Sequence, residues 1–132
     1  MKSMVSEKYI VSCVKKFMEK QGFQCYKEVK VLEGRVDLVA IKNKEIVAIE
    51  AKVRDWKKIL PQVLCCKLFA QKVYAAFWHK YISNIPLQIF KKHGIGLLSV
   101  NRQVNIILES RKNNELHRSI YEKLIKEIER RS

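Results

Sequence analysis

Asp37, Glu50 and Lys52 are the residues of this chain whose types and spacing suit chemistry. Asn43-Lys44 separates two runs rich in Val and Ile, Arg35–Lys42 and Glu45–Lys52. It reads as a two-residue hairpin turn, because Asn tolerates the positive φ that such turns need. Across that hairpin Ile41 faces Ile46, Val39 faces Ala48, Asp37 faces Glu50 and Arg35 faces Lys52. Directly opposed side chains have Cβ atoms about 4.5–5.5 Å apart, and opposed like charges destabilise the pair. A divalent hard cation resolves the conflict between Asp37 and Glu50, and Mg²⁺ commonly binds through one or two carboxylates plus substrate phosphates. Lys52, two residues past Glu50, shares that face of the strand. Two carboxylates and a lysine so placed can hold a metal, orient an attacking water and stabilise charge developing on a phosphate. E-x-K alone is a common triplet on solvated strands. Here it follows Ile46-Val47-Ala48-Ile49, the pattern of a buried central strand, where a surface ion pair has little purpose.

The elements that must position these residues follow from periodicity. Val5, Tyr9, Ile10, Val14, Phe17 and Met18 recur at helical spacing and predict an amphipathic helix over 4–20, stopped near Gln21-Gly22. Gln24 to Leu32 alternates as a strand, followed by the two strands of the hairpin. Asp55 is placed to cap a helix reaching about Ala70, with Ile59, Val63, Cys66 and Ala70 on one stripe, widened by Leu60, Leu64 and Leu68. Pro61 either kinks that helix or marks its true first turn. Lys72–Trp78 reads as a central strand. Pro86 opens a short helix ending at Gly94, and strands Ile95–Val100 and Val104–Glu109 follow. The last element is an amphipathic helix, Glu115–Arg130, with Leu116, Ile120, Leu124 and Ile128 inward. This order defines one mixed α/β domain over 1–132, an antiparallel meander first and a crossover helix later.

Composition narrows the partner. Lys and Arg total 27 against 13 Asp and Glu, a net charge of +14 in 132 residues. Such a surface seeks a polyanion, because each neutralised phosphate releases condensed counterions. The basic residues do not collect in one amphipathic segment, which argues for nucleic acid over membrane. There is no N-terminal apolar stretch of signal type and no run of about 18 apolar residues, so the expected location is cytoplasmic. Cys13, Cys25, Cys65 and Cys66 lack C-x-x-C spacing and read as small buried hydrophobes in a reducing compartment. His79, His93 and His117 share no ligand spacing, and Gly94 and Gly96 belong to no phosphate loop. Trp56 and Trp78 suit packing at the core or its rim better than stacking on bases.

Gly34-Arg35-Val36-Asp37 followed by Ile46-Val47-Ala48-Ile49-Glu50-Ala51-Lys52 resembles the PD-(D/E)XK nuclease superfamily, particularly its small resolvase-type and RecB-like branches. The resemblance covers roughly residues 4–78. It implies a restriction-endonuclease-like core, a mixed central sheet with an antiparallel hairpin meander flanked by helices. It further implies that Asp37, Glu50 and the Ala51 carbonyl bind metal and that Lys52 positions or helps deprotonate the attacking water. Glu7 matches the family's first-helix carboxylate, and Gln62 resembles a glutamine that approaches the site from the helix after E-x-K. Val36 stands where the nominal proline would be. Cys66 stands where some RecB-like members carry tyrosine, which weakens an exonuclease assignment.

The expected activity is therefore that of a deoxyribonuclease using Mg²⁺ or Mn²⁺, hydrolysing phosphodiesters in duplex or branched DNA. A chain of this length leaves little room for a separate recognition domain, so an endonuclease of structure-directed or low sequence specificity is expected. Holliday-junction-resolvase-like cutting in DNA repair or recombination falls within that range. Arg35, Arg54, Lys57 and Lys58 flank the site and are the expected phosphate contacts; Lys91, Lys92, Arg111, Lys112, Arg130 and Arg131 extend the basic surface. Two-strand cutting favours a homodimer, for which the last helix offers an apolar stripe equally suited to packing on the chain's own core. The alternative is a non-catalytic, basic nucleic-acid-binding protein that retains the nuclease fold; a basic scaffold for a larger assembly is a third reading.

Overall fold

A computed structural model describes residues 5–131. Its elements are α1 (Glu7–Lys20), β1 (Gln24–Val31), β2 (Gly34–Lys42), β3 (Glu45–Lys52), α2 (Trp56–Cys66), β4 (Lys72–Trp78), a 3₁₀ helix (His79–Asn84), α3 (Leu87–His93), β5 (Gly96–Asn101), β6 (Gln103–Leu108) and α4 (Arg118–Arg131). The strands form one six-stranded mixed sheet in chain order, β1 through β6. The β1–β2, β2–β3 and β5–β6 pairs are antiparallel, and β3–β4 and β4–β5 are parallel. This is the expected α/β architecture, an antiparallel meander joined through α2 to a parallel centre and flanked by helices on both faces. Among the described residues no helix is long and apolar enough to cross a membrane.

Strand alternation sorts the core into two layers. Val47, Ile49 and Ala51 of β3 point to the face covered by α1, where Ile10, Val14 and Met18 pack. Ile46 and Ala48 point to the opposite face, covered by Ile59, Val63 and Cys66 of α2, Phe90 of α3 and Leu124, Ile125 and Ile128 of α4. β3 and β4 are buried on both faces, as parallel central strands require. The apolar stripe of α4 is thus spent on the chain's own core, which removes the reason for expecting it at a dimer interface.

Several boundaries differ from the expected ones. α1 begins at Glu7 because Ser6 caps it, its Oγ accepting the Tyr9 N–H at 3.0 Å; residue 4 of the expected helix lies outside the described residues. β1 ends at Val31, since Leu32 takes φ 56° in a tight turn with Glu33. Asp55 caps α2 as expected, but the helix stops at Cys66 instead of Ala70, the Cys66 carbonyl taking the Phe69 and Ala70 N–H groups. Pro61 lies within α2, not in its first turn. Leu68 is consequently exposed, not part of a buried stripe. α4 starts at Arg118, so Leu116 precedes it. The 3₁₀ helix has no counterpart in the periodicity. Cys13 and Cys66 are buried, whereas Cys65 is exposed and Cys25 half-buried, so only two of the cysteines fit the reading as core residues; all four are free.

Gly94 and Gly96 are structural, as their lack of loop context implies. Gly94 closes α3 at φ 74°, a left-handed cap that favours glycine. A Cβ at Gly96 would lie 2.4 Å from ring carbons of Tyr74, its partner on β4, and 2.7 Å from the Leu108 carbonyl oxygen. Gly96→Ala is therefore expected to cost about 3 kcal/mol, read as a lowered denaturant midpoint at unchanged m-value.

Candidate active site

The turn that positions the site forms as its residues dictate. Asn43 and Lys44 take φ 53° and 64°, and β2 pairs with β3 in the expected register, Ile41 with Ile46 and Val39 with Ala48. The pairing ends, however, at Leu38–Ile49. Asp37 and Glu50 are therefore not a ladder pair, and neither are Arg35 and Lys52. On the other side of β2, pairing with β1 skips the position where Asp37 would meet Glu28, which takes φ 51°. Asp37 thus sits where β2 is released from both neighbours.

Its N–H and one carboxylate oxygen bond within the site. The Asp37 N–H donates to Glu50 Oε1 at 3.3 Å, and Asp37 Oδ2 accepts the Ala51 N–H at 2.8 Å. Each carboxylate thereby binds the strand that carries the other. A strand residue directs its N–H and C=O to the same side, so the Ala51 carbonyl also points towards the gap that opens between β2 and β3. Glu50 is only 4% exposed. Its other oxygen, Oε2, lies 3.8 Å from Cys66 Sγ on α2. Burial, reinforced by the Asp37 charge, pushes the Glu50 carboxyl up to about 8. The Cys66 thiol is likewise pushed up by burial and by Glu50.

Lys52 ends β3 and is partly exposed. Its Nζ lies 3.6 Å from Glu7 Oε1, so the first turn of α1 meets the end of β3 around the sheet's rim. Gln62 is exposed on α2 and lines, with Glu50, Cys66 and Gly34, a groove of 580 Å³. The structure thus joins Asp37, Glu50 and Ala51 through two hydrogen bonds, pairs Lys52 with Glu7 separately, and sets Gln62 with Glu50 along one groove that Asp37, Lys52 and Glu7 do not line. From sequence Cys66 reads as a small buried hydrophobe on the stripe of α2 and as a departure at a tyrosine position, not as a residue of the site. Its place four residues after Gln62, hence on the same helix face, is the signal that could have placed it at the site.

The expected phosphate contacts divide. Arg35 is exposed and ion-paired to Glu28 at 3.7 Å, not opposite Lys52. Arg54 lies over the Tyr81 ring at 5.4 Å, Lys57 over Trp56 at 5.8 Å, and Lys58 stands 3.9 Å from Asp55. All four are exposed and close in sequence to the site. Trp56 packs edge-on to Phe90 and Trp78 to Tyr9, in keeping with packing roles.

Among the described residues no three His, Cys, Asp or Glu side chains converge to cage a metal ion. Two carboxylates with a backbone carbonyl on the same side of β3 are nevertheless a donor set suited to a hard cation that keeps waters and takes its remaining ligands from a phosphate.

No protein-family model and no curated protein matches the chain. Solved structures do. A protein of unknown function from Silicibacter pomeroyi, SPO1766, superimposes with a TM-score of 0.71 at 16% identity, over 98% of this chain and 90% of that one. AF1548, also described as a protein of unknown function, superimposes with a TM-score of 0.56 at 17% identity, over 71% of this chain and 58% of its own length. SfsA of Pyrococcus furiosus, in complex with Ca²⁺, gives a TM-score of 0.43 at 14% identity over 74% of this chain and 61% of that one, too slight a likeness to support an inference. At these identities the likeness is one of fold: the α/β sheet with its flanking helices recurs along nearly the whole of the first relative.

Proposed function

We propose that this chain is a Mg²⁺-dependent deoxyribonuclease with a restriction-endonuclease-like core, cutting DNA internally with structure-directed or low sequence specificity. The observation that carries this reading is the interlocked pair Asp37 and Glu50 at the point where β2 leaves β3, with the Ala51 carbonyl facing the same gap. Asp37, Glu50 and the Ala51 carbonyl would hold the cation, which when bound supplies positive charge against the scissile phosphate. Lys52 holds a water for attack on phosphorus. Glu7, in contact with Lys52, fixes where its ammonium points. Gln62 lines the approach from α2. Hydrolysis forms a new P–O bond from the water and breaks one to the sugar oxygen, which leaves with a proton. The net charge of +14 supports DNA as the polyanion.

Labelled duplex, branched and single-stranded DNA incubated with Mg²⁺, Mn²⁺ or EDTA tests the proposal. Cleavage of at least one DNA in the metal lanes only is expected. Salt-sensitive binding with no cutting in any lane would instead establish a non-catalytic DNA-binding protein.

A further inference from the structure

Resting on the nuclease reading, we infer that the β1–β2 turn is an apolar wedge that selects DNA containing an opening in its base stack. Leu32 is the first residue of this two-residue turn and takes φ 56°, a conformation that favours glycine or asparagine over leucine. It is also 52% exposed, more than any other large hydrophobic side chain among the described residues. The position therefore costs backbone strain and leaves apolar surface in water, with no core burial in return. A local conflict of that kind marks a functional position.

Its surroundings identify the occupant. Leu32 and Val31 form the ridge between two grooves. One is the 580 Å³ groove that reaches Glu50 and Gln62. The other, of 700 Å³, runs between the turn and α4 and is lined by Lys30, Lys123 and Arg130, with Glu127 paired to Arg130. Gly34 leaves the carboxylate side of the ridge open, since a Cβ there would meet nothing within 4 Å. A strand whose phosphates follow Lys30 and Lys123 passes over Leu32 to reach Glu50 in the other groove. Apolar side chains at such places insert between base steps, and insertion is cheapest where the stack is already interrupted. The chemistry thus fits a DNA duplex with unpaired or branched bases, the ridge entering the opening while the cations hold the backbone beside it.

Binding in EDTA separates this inference from catalysis. Two labelled duplexes of equal length are compared, one fully paired and one with a few unpaired central bases. The wild type is expected to favour the opened duplex by about tenfold, the order of magnitude for burying a leucine side chain. Leu32→Asn keeps a residue that tolerates the turn and removes the apolar tip. It should abolish the preference while leaving affinity for the paired duplex unchanged. Lys123→Ala should weaken both duplexes alike and lower the salt dependence. A wild type without the preference, an unchanged preference in Leu32→Asn, or unchanged affinities in Lys123→Ala would overturn the inference. So would a Leu32→Asn protein altered only in sedimentation, which would make the turn a protein contact. A wild type that shows the preference yet cuts nothing with Mg²⁺ or Mn²⁺ would overturn the nuclease reading alone.

Discussion

Lys52→Ala and Glu50→Gln proteins are expected to cut DNA about 10²–10⁴-fold more slowly than the wild type in Mg²⁺, with DNA affinity largely kept. The two changes act on different parts of the site. Glu50→Gln is nearly isosteric, so its amide oxygen can still accept the Asp37 N–H and the opening between β2 and β3 should persist. What it removes is the negative charge that would hold the cation. Lys52→Ala leaves both carboxylates in place and removes the ammonium that Glu7 now holds at 3.6 Å. Single-turnover cleavage, with circular dichroism to verify folding, makes the comparison. Two variants as fast as the wild type would end the assignment of the site. Mn²⁺ titration by calorimetry separates the roles further: binding should be lost in Glu50→Gln and retained in Lys52→Ala.

The second large effect concerns pH. Glu50 titrates near 4.5 in the unfolded chain and near 8 in the folded one. Between those values the folded protein keeps a proton that the unfolded chain has released. Stability of the metal-free protein should therefore be greatest below about pH 4.5 as far as this group is concerned, fall as pH rises towards 8, and level off above it. The total loss is on the order of a few kcal/mol. Denaturant midpoints in EDTA should show this fall in the wild type, and the Glu50→Gln protein should lack it. A cation that requires the ionised carboxylate must displace that proton, so Mn²⁺ affinity should rise about tenfold per pH unit between pH 6 and 8. A wild type and a Glu50→Gln protein with parallel pH profiles would show that Glu50 does not carry its proton into the neutral range.

These predictions depend on features that sequence discloses to different extents. Val and Ile alternating on either side of Asn43-Lys44 determine β2, β3 and their register, because strand period and turn chemistry are local properties. The run Lys72–Trp78, apolar throughout, likewise discloses a buried central strand, and Asp55 discloses the start of α2. That Asp37, Glu50 and Lys52 belong to one end of one hairpin was legible for the same reason. Local patterns could not reveal that the ladder would stop at Leu38–Ile49. That ending depends on Glu28 interrupting β1 and on the Asp37 side chain taking the Ala51 N–H in place of a strand partner. Nor could they place Cys66 against Glu50 or Glu7 against Lys52, because α2 and α1 reach the site from opposite faces of the sheet. The burial that raises the Glu50 carboxyl is of the same kind. Sequence by itself determined which charged groups share the hairpin; only the packing of distant helices and the parting of β2 from β3 decided how they are buried and which atoms they touch.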